Sequence, residues 1–307
     1  MDKSNVGGRA YQSARTEIIK WILVILITFL MYRFVKRDSL IGVTNRTLPP
    51  TEAALLNGIV WGDKAGFQKD FYTDLKNAGL VHLVVVSGSN LMLLSEGVIG
   101  GMAWFLGRKK TLVMTIVLGT GYAAMVGWEL PVVRALLMMG LMYLAQLLGR
   151  KYNIGRGLLV AVVIMFLADN RVLLSLSFWL SVMAFIGVIT NRHKNLLMEV
   201  VWINLWITPI IGLIIGKIAW VTPLTNVVVI GTMGIITGVG VLGMVTGGWL
   251  LWLVYPMLRL LATVTEIGGG VGVWQIKFNW CLALGWYVIL IYWILKRRQN
   301  EMADITA

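Results

Sequence analysis

The chain has 307 residues, of which 58% are hydrophobic and 13% charged, with a mean hydropathy of +0.80; soluble domains carry about 25% charged residues, so this composition excludes a soluble globular class and indicates an integral membrane protein. Lys and Arg outnumber Asp and Glu by 27 to 14, a net charge of +13, which suits basic cytoplasmic loops, contact with anionic membrane lipids or a polyanionic partner. One cysteine, Cys281, excludes an internal disulfide, and the histidines His82 and His193 are too far apart for a local metal motif, so neither a metal nor another cofactor is expected.

Residues 1–36 open polar and basic, with Lys3, Arg9 and Arg15, then run apolar from Ile18 to Val35. That run is too long for a signal-peptide core and no small-residue cleavage site follows, so it reads as an uncleaved anchor. Residues 37–79 are mixed. Pro49-Pro50-Thr51-Glu52 opens a helix, with Thr51 as its cap and an apolar run ending over Gly58 to Gly62, followed by Asp63. A second, amphipathic helix is predicted over residues 66–77, with Phe67, Phe71 and Leu75 on one side. Both helices are expected on the outer side, on the membrane surface or capping a bundle.

The next stretch runs from Gly79 and His82 through an apolar segment to Ser87-Gly88-Ser89-Asn90, then apolar again to Trp104. It is long enough to cross a bilayer, which takes roughly 20 apolar residues. Yet it carries four small or polar residues near mid-depth. Irregular backbone there survives only inside protein or beside a water-filled cavity, so a broken segment points to a solute path. A tolerated kink is the alternative, since glycine is frequent in membrane helices.

Further membrane helices are predicted near residues 111–127, 131–148, 157–168, 172–190, 196–215, 223–245, 249–264 and 280–296. With residues 80–106 and the anchor this makes about ten spans, an all-α polytopic bundle covering residues 80–298, with a tail at 299–307. Basic joints at Arg108-Lys109-Lys110, Arg150-Lys151, Arg192 with Lys194, and Lys296-Arg297-Arg298 alternate with poorer ones. The positive-inside rule therefore puts both termini in the cytoplasm and residues 37–79 outside. Glycine pairs such as Gly97 and Gly101, Gly234 and Gly238, or Gly243 and Gly247 read as close helix packing.

Four further groups could carry function. Arg134 sits in the first turn of the span opened by Pro131, where a cation opposes the helix dipole by roughly 0.3–1 kcal/mol. It either pairs with Glu129 or faces a pore and meets phosphate, for which its planar fork is suited. Ser177 and Ser181 stand on one helical face and line a polar path or bond back to their own helix. Asn226, in Thr222-Pro223-Leu224-Thr225-Asn226, marks another polar break. Arg259 is a charge within a span, and such charges face a bundle interior or a cavity.

Several of these stretches resemble the ComEC-type competence proteins, through which single-stranded DNA enters bacteria during natural transformation. The likeness lies in Gly62-Asp63, in Gly79, His82, Ser87 and Gly88, in Pro131-Val132-Val133-Arg134-Ala135 with Leu148-Gly149-Arg150, in Leu176-Ser177-Phe178-Trp179-Leu180-Ser181, and in the stretch ending at Asn226. It covers roughly residues 52–298. Two positions depart: Asn90 stands in a polar pair that often includes histidine, and Trp179 stands where glutamine is usual. The resemblance implies a bacterial inner-membrane channel for single-stranded DNA, in a minimal form without the family's OB-like and metallo-β-lactamase-like domains.

The expected DNA-channel residues are Ser87, Gly88, Ser89, Asn90, Arg134, Ser177, Trp179, Ser181, Asn226 and Arg259, with Gly62, Asp63, Gly79, His82 and Glu129 as structural motif. No GxxxxGK[ST] loop is present, and no nucleophile-base pair is visible. The chain is therefore expected to be no enzyme and to depend on separate DNA-receptor and motor proteins. A transporter of a small anionic or lipid-like solute and a non-conducting scaffold are the other readings, and oligomeric state is left open.

Overall fold

The structure, a computed structural model, describes residues 37–81, 88–191, 195–214, 216, 218–271 and 278–306; the expected anchor lies outside them. The described residues form twelve α-helices: α1 (Arg37–Thr47), α2 (Pro50–Trp61), α3 (Lys69–Asn77), α4 (Gly88–Leu106), α5 (Arg108–Val126), α6 (Leu130–Leu147), α7 (Ile154–Ala168), α8 (Leu176–Thr190), α9 (Leu196–Ile214), α10 (Thr222–Val245), α11 (Leu251–Gly270) and α12 (Trp280–Thr306). Four of these, α6, α9, α10 and α11, are long and apolar enough to cross a membrane. The other expected spans are shorter or interrupted: α5 opens on three consecutive basic residues, and residues 172–190 divide into a 3-10 turn, Asn170–Leu174, followed by α8. The last helix runs on through the predicted tail to Thr306.

The segment 37–79 departs most from expectation. Its α3 is amphipathic as predicted, with Phe71 and Leu75 buried and Phe67 stacked on Phe71. Its α2 is not. Every residue from Glu52 to Trp61 is buried, and a helix apolar all round belongs in a core rather than on a surface. The helix starts at Pro50 behind Pro49, so Thr51 lies inside it and makes no cap. Gly62, at φ 68°, ends it: the Gly62 N–H donates to the Gly58 carbonyl and the Asp63 N–H to the Asn57 carbonyl. Asp63 then accepts the Ala65 N–H at 3.1 Å, closing the turn toward α3.

This segment is not gathered at one end of the bundle. Gly248, in the α10–α11 turn, packs against Val43 and Thr47 of α1. At the other end of the same hairpin, Gly268 packs against Ala78 and Thr225. At 1.5 Å per residue α10 is about 36 Å long, so α1, α2 and α3 together follow most of its length.

Beside this core, α4 packs on α6, α6 on α8, α8 on α9, α9 on α10, and α10 back on α4, a closed circuit of five helices. Helices approach closely at Gly187, where an added Cβ would stand 3.0 Å from the Ile203 Cα, and at Gly240 against Leu56. Of the glycine pairs expected to pack, Gly97, Gly101, Gly238 and Gly247 have open space, while Gly243 meets Leu251.

Outside the circuit α12 is held on α9 by aromatic residues. Pro209 lies inside α9 and cannot donate to the Leu205 carbonyl four residues back. The Trp286 indole donates to that carbonyl at 3.0 Å, and the Tyr287 hydroxyl donates to the Trp206 carbonyl at 3.0 Å. Trp286→Phe is therefore expected to destabilise the protein by about 1–3 kcal/mol, the cost of stranding a buried acceptor. In a Pro209→Ala background, where the backbone regains its donor, the same change should cost less. Thermal unfolding of the four variants in detergent measures the coupling.

Candidate functional site

The broken segment begins at Gly79, whose φ of 72° is a conformation that favours glycine. A Cβ there would fall on the Thr222 hydroxyl at the start of α10. One residue earlier, the Ala78 carbonyl accepts the Thr225 hydroxyl at 3.1 Å. The Gly79 stretch and the stretch ending at Asn226, far apart in sequence, thus form one contact. Asn226 itself is buried, and among the described residues its Oδ1 has no hydrogen-bond partner. His82 and Ser87 lie outside the described residues, as does the Ser89 side chain.

Gly88 is the first described residue of α4. An added Cβ would stand 2.9 Å from the Ala135 Cβ and 3.0 Å from the Pro131 carbonyl oxygen, so α4 begins directly on the first turns of α6. Pro131, Arg134 and Ala135 share that helical face by their spacing of three and four. Arg134 is partly buried, and its Nη1 is fully enclosed with no hydrogen-bond partner. Glu129 is exposed, and among the described residues no ion pair joins it to Arg134. A guanidinium in the first turn of a helix, against the dipole and without a carboxylate among the described residues, is poised for an anion.

Asn90 serves a different end. It is fully buried and donates to the Ile59 carbonyl at 2.6 Å, while the Tyr122 hydroxyl donates to the Val60 carbonyl at 2.7 Å. These are carbonyls of the last turn of α2, which have no partner within their own helix. Asn90 therefore ties α4 to the core helix.

On α8, Ser177 and Ser181 are half-buried. Between them Phe178, with Met165 and Val172, packs against Leu130, Val133 and Leu137 of α6, the face beside Arg134. Trp179 donates its indole N–H to the Leu173 carbonyl at 2.7 Å and pins the 3-10 turn to α8. That role explains an indole where a polar side chain was expected.

Arg259 stands apart, near the middle of α11. Its Nη1 lies 3.3 Å from Glu52 Oε1, and the two side chains are 58% and 3% exposed. Glu52 was not singled out from the sequence, although an acidic residue opening an otherwise apolar helix was visible. Its first-turn position suits the helix dipole. The structure thus unites Gly79 with the Asn226 stretch and Gly88 with the Arg134 helix, and leaves Asn90, Trp179 and Arg259 to other contacts. Among the described residues no group of three His, Cys, Asp or Glu side chains stands together to hold a metal.

A family model described as Competence protein matches residues 59–300. ComE operon protein 3 of Bacillus subtilis (strain 168) is 29% identical over 110 residues, a match that spans 36% of this chain and 14% of that relative's length. No solved structure matches.

Proposed function

The chain belongs to the competence protein family, and from that premise we propose that it passes single-stranded DNA inward across the bacterial inner membrane. The observation that carries the reading is Arg134. Its Nη1 is enclosed, no ion pair joins it to Glu129, and it stands on the face where α4 meets α6. A strand crossing lipid needs a wetted route and cations for its phosphates, and Arg offers a planar fork matched to phosphate. The half-buried Ser177 and Ser181 and the unpartnered Oδ1 of Asn226 supply polar groups for the same route.

In this reading about ten spans cross the membrane, counting the anchor, with both termini in the cytoplasm. The chain performs no catalysis, and separate receptor and motor proteins deliver and pull the strand.

The test is transformation frequency in a host that depends on this protein, with membrane levels checked for each variant. Arg134→Gln should lower the frequency roughly tenfold or more, since hydrogen bonds to a charged group contribute about 1.5–3 kcal/mol. Adding Glu129→Gln should not restore it, and Arg134→Lys should fall between. Recovery in the double variant would show that Arg134 acts only to balance Glu129.

A further inference from the structure

By the helical turn of about 100° per residue, α11 divides into three faces. Leu251, Val254, Leu258, Leu261, Ala262, Thr265 and Gly268 form the buried one. Leu253, Leu260 and Ile267, at seven-residue spacing, form an exposed apolar face suited to lipid. Between these lies a third face, exposed and polar toward its end: Arg259, Thr263, Glu266 and Gly270. A charged side chain open to lipid at the middle of a span is costly, so this face requires either water or a protein partner.

Two observations favour water. The connection between α2 and α3 is polar and exposed at Lys64 and Gln68, and Gly66 within it lies against Ala54. Ala54 is two residues from Glu52, the partner of Arg259. A polar, exposed connection thus lies at the level of the ion pair. The pair itself is one-sided: Glu52 takes Nη1 from the buried side, leaving most of the guanidinium open on the polar face.

We propose that the polar face of α11 lines a water-filled vestibule reaching Arg259 from the Gly270 end, and that Glu52 holds the guanidinium there for the phosphates of a single-stranded nucleic acid. The ligand rests on the conduit reading above; the presence of water does not. Arg259 is the sole cation on this face of α11, so the contact is local, and Glu52 is its positioning residue.

The experiment uses the full chain in membranes with Cys281, the single cysteine, changed to Ser. Thr263→Cys, Glu266→Cys, Leu260→Cys and Ile267→Cys are each treated with a negatively charged, membrane-impermeant methanethiosulfonate. Because the thiolate that reacts forms in water and not in lipid, the first two should react about tenfold faster than the last two. A single-stranded oligonucleotide should slow reaction at Thr263→Cys severalfold, and adding Arg259→Gln with Glu52→Gln should remove that protection. Equal, slow reaction at all four positions would overturn the vestibule, and would be the result if a second protein covered the face. Rapid reaction that the oligonucleotide leaves unchanged would overturn the phosphate contact. Neither readout depends on transformation, so failure of the conduit reading is seen separately.

Discussion

Gly88→Leu is expected to abolish DNA uptake while leaving the protein inserted and abundant. At Gly88 even a single added carbon meets Ala135 Cβ at 2.9 Å and the Pro131 carbonyl at 3.0 Å. The second contact is backbone in the first turn of a helix and cannot rotate away. Leucine adds three more carbons, so α4 must move off α6 at the turn that carries Arg134. Overpacking of this kind costs typically about 1–3 kcal/mol, which a large helical core can absorb. The local displacement is what uptake should not tolerate. Gly88→Ala should be intermediate, since a shift of a few tenths of an ångström accommodates one methyl group. Transformation frequency against membrane abundance, measured by immunoblot, separates the effects. Full uptake by the leucine variant would reduce the α4–α6 contact to ordinary packing.

The second large effect concerns Arg259 and Glu52, and it is asymmetric. Arg259→Leu leaves Glu52, a side chain 3% exposed, with no partner. Removing one member of a buried pair costs about 3–5 kcal/mol when the remaining charge is enclosed. Glu52→Leu strands Arg259 instead, but that side chain is 58% exposed, so water can solvate it and the cost should be about 1 kcal/mol or less. The double variant removes the stranded charge, and well-packed apolar replacements of buried pairs are often close to neutral. Thermal unfolding in detergent should therefore rank Arg259→Leu lowest, with Glu52→Leu and the double variant near the parent. A Glu52 variant as damaging as the arginine variant would mean that Arg259 is itself cut off from water.

Much of the helical architecture was legible because apolar runs and their breakers are local signals. The runs near residues 131–148, 196–215, 223–245 and 249–264 match α6, α9, α10 and α11 to within a few residues at nearly every end, the last α11 boundary excepted. The amphipathic spacing of Phe71 and Leu75 foretold the buried side of α3. The polar interruption at Ser87-Gly88-Ser89-Asn90 was legible in the sequence, and of its four residues Gly88, Ser89 and Asn90 lie within α4. The family signatures were legible too, since they are carried by short ordered strings of residues.

What the sequence by itself determined, then, was where the chain is apolar enough to form membrane helices, where it must interrupt them, and that its charges are few and mostly basic. Only the tertiary structure decided which of those charges and polar groups meet. The buried state of α2 depends on what surrounds it, so the same twelve residues read equally well as a surface helix. The Glu52–Arg259 pair joins positions 207 apart, and no local periodicity links them. Asn90 was read as a path-lining group because it stands in a polar break within an apolar segment, but only packing could supply the Ile59 carbonyl. Gly79 and Gly88 look alike in sequence, yet the first is required by its backbone conformation and its contact with Thr222, the second by the approach of α6. Helix formation is set by hydrogen bonds within a few residues, whereas burial and pairing are set by neighbours that the order of residues does not name.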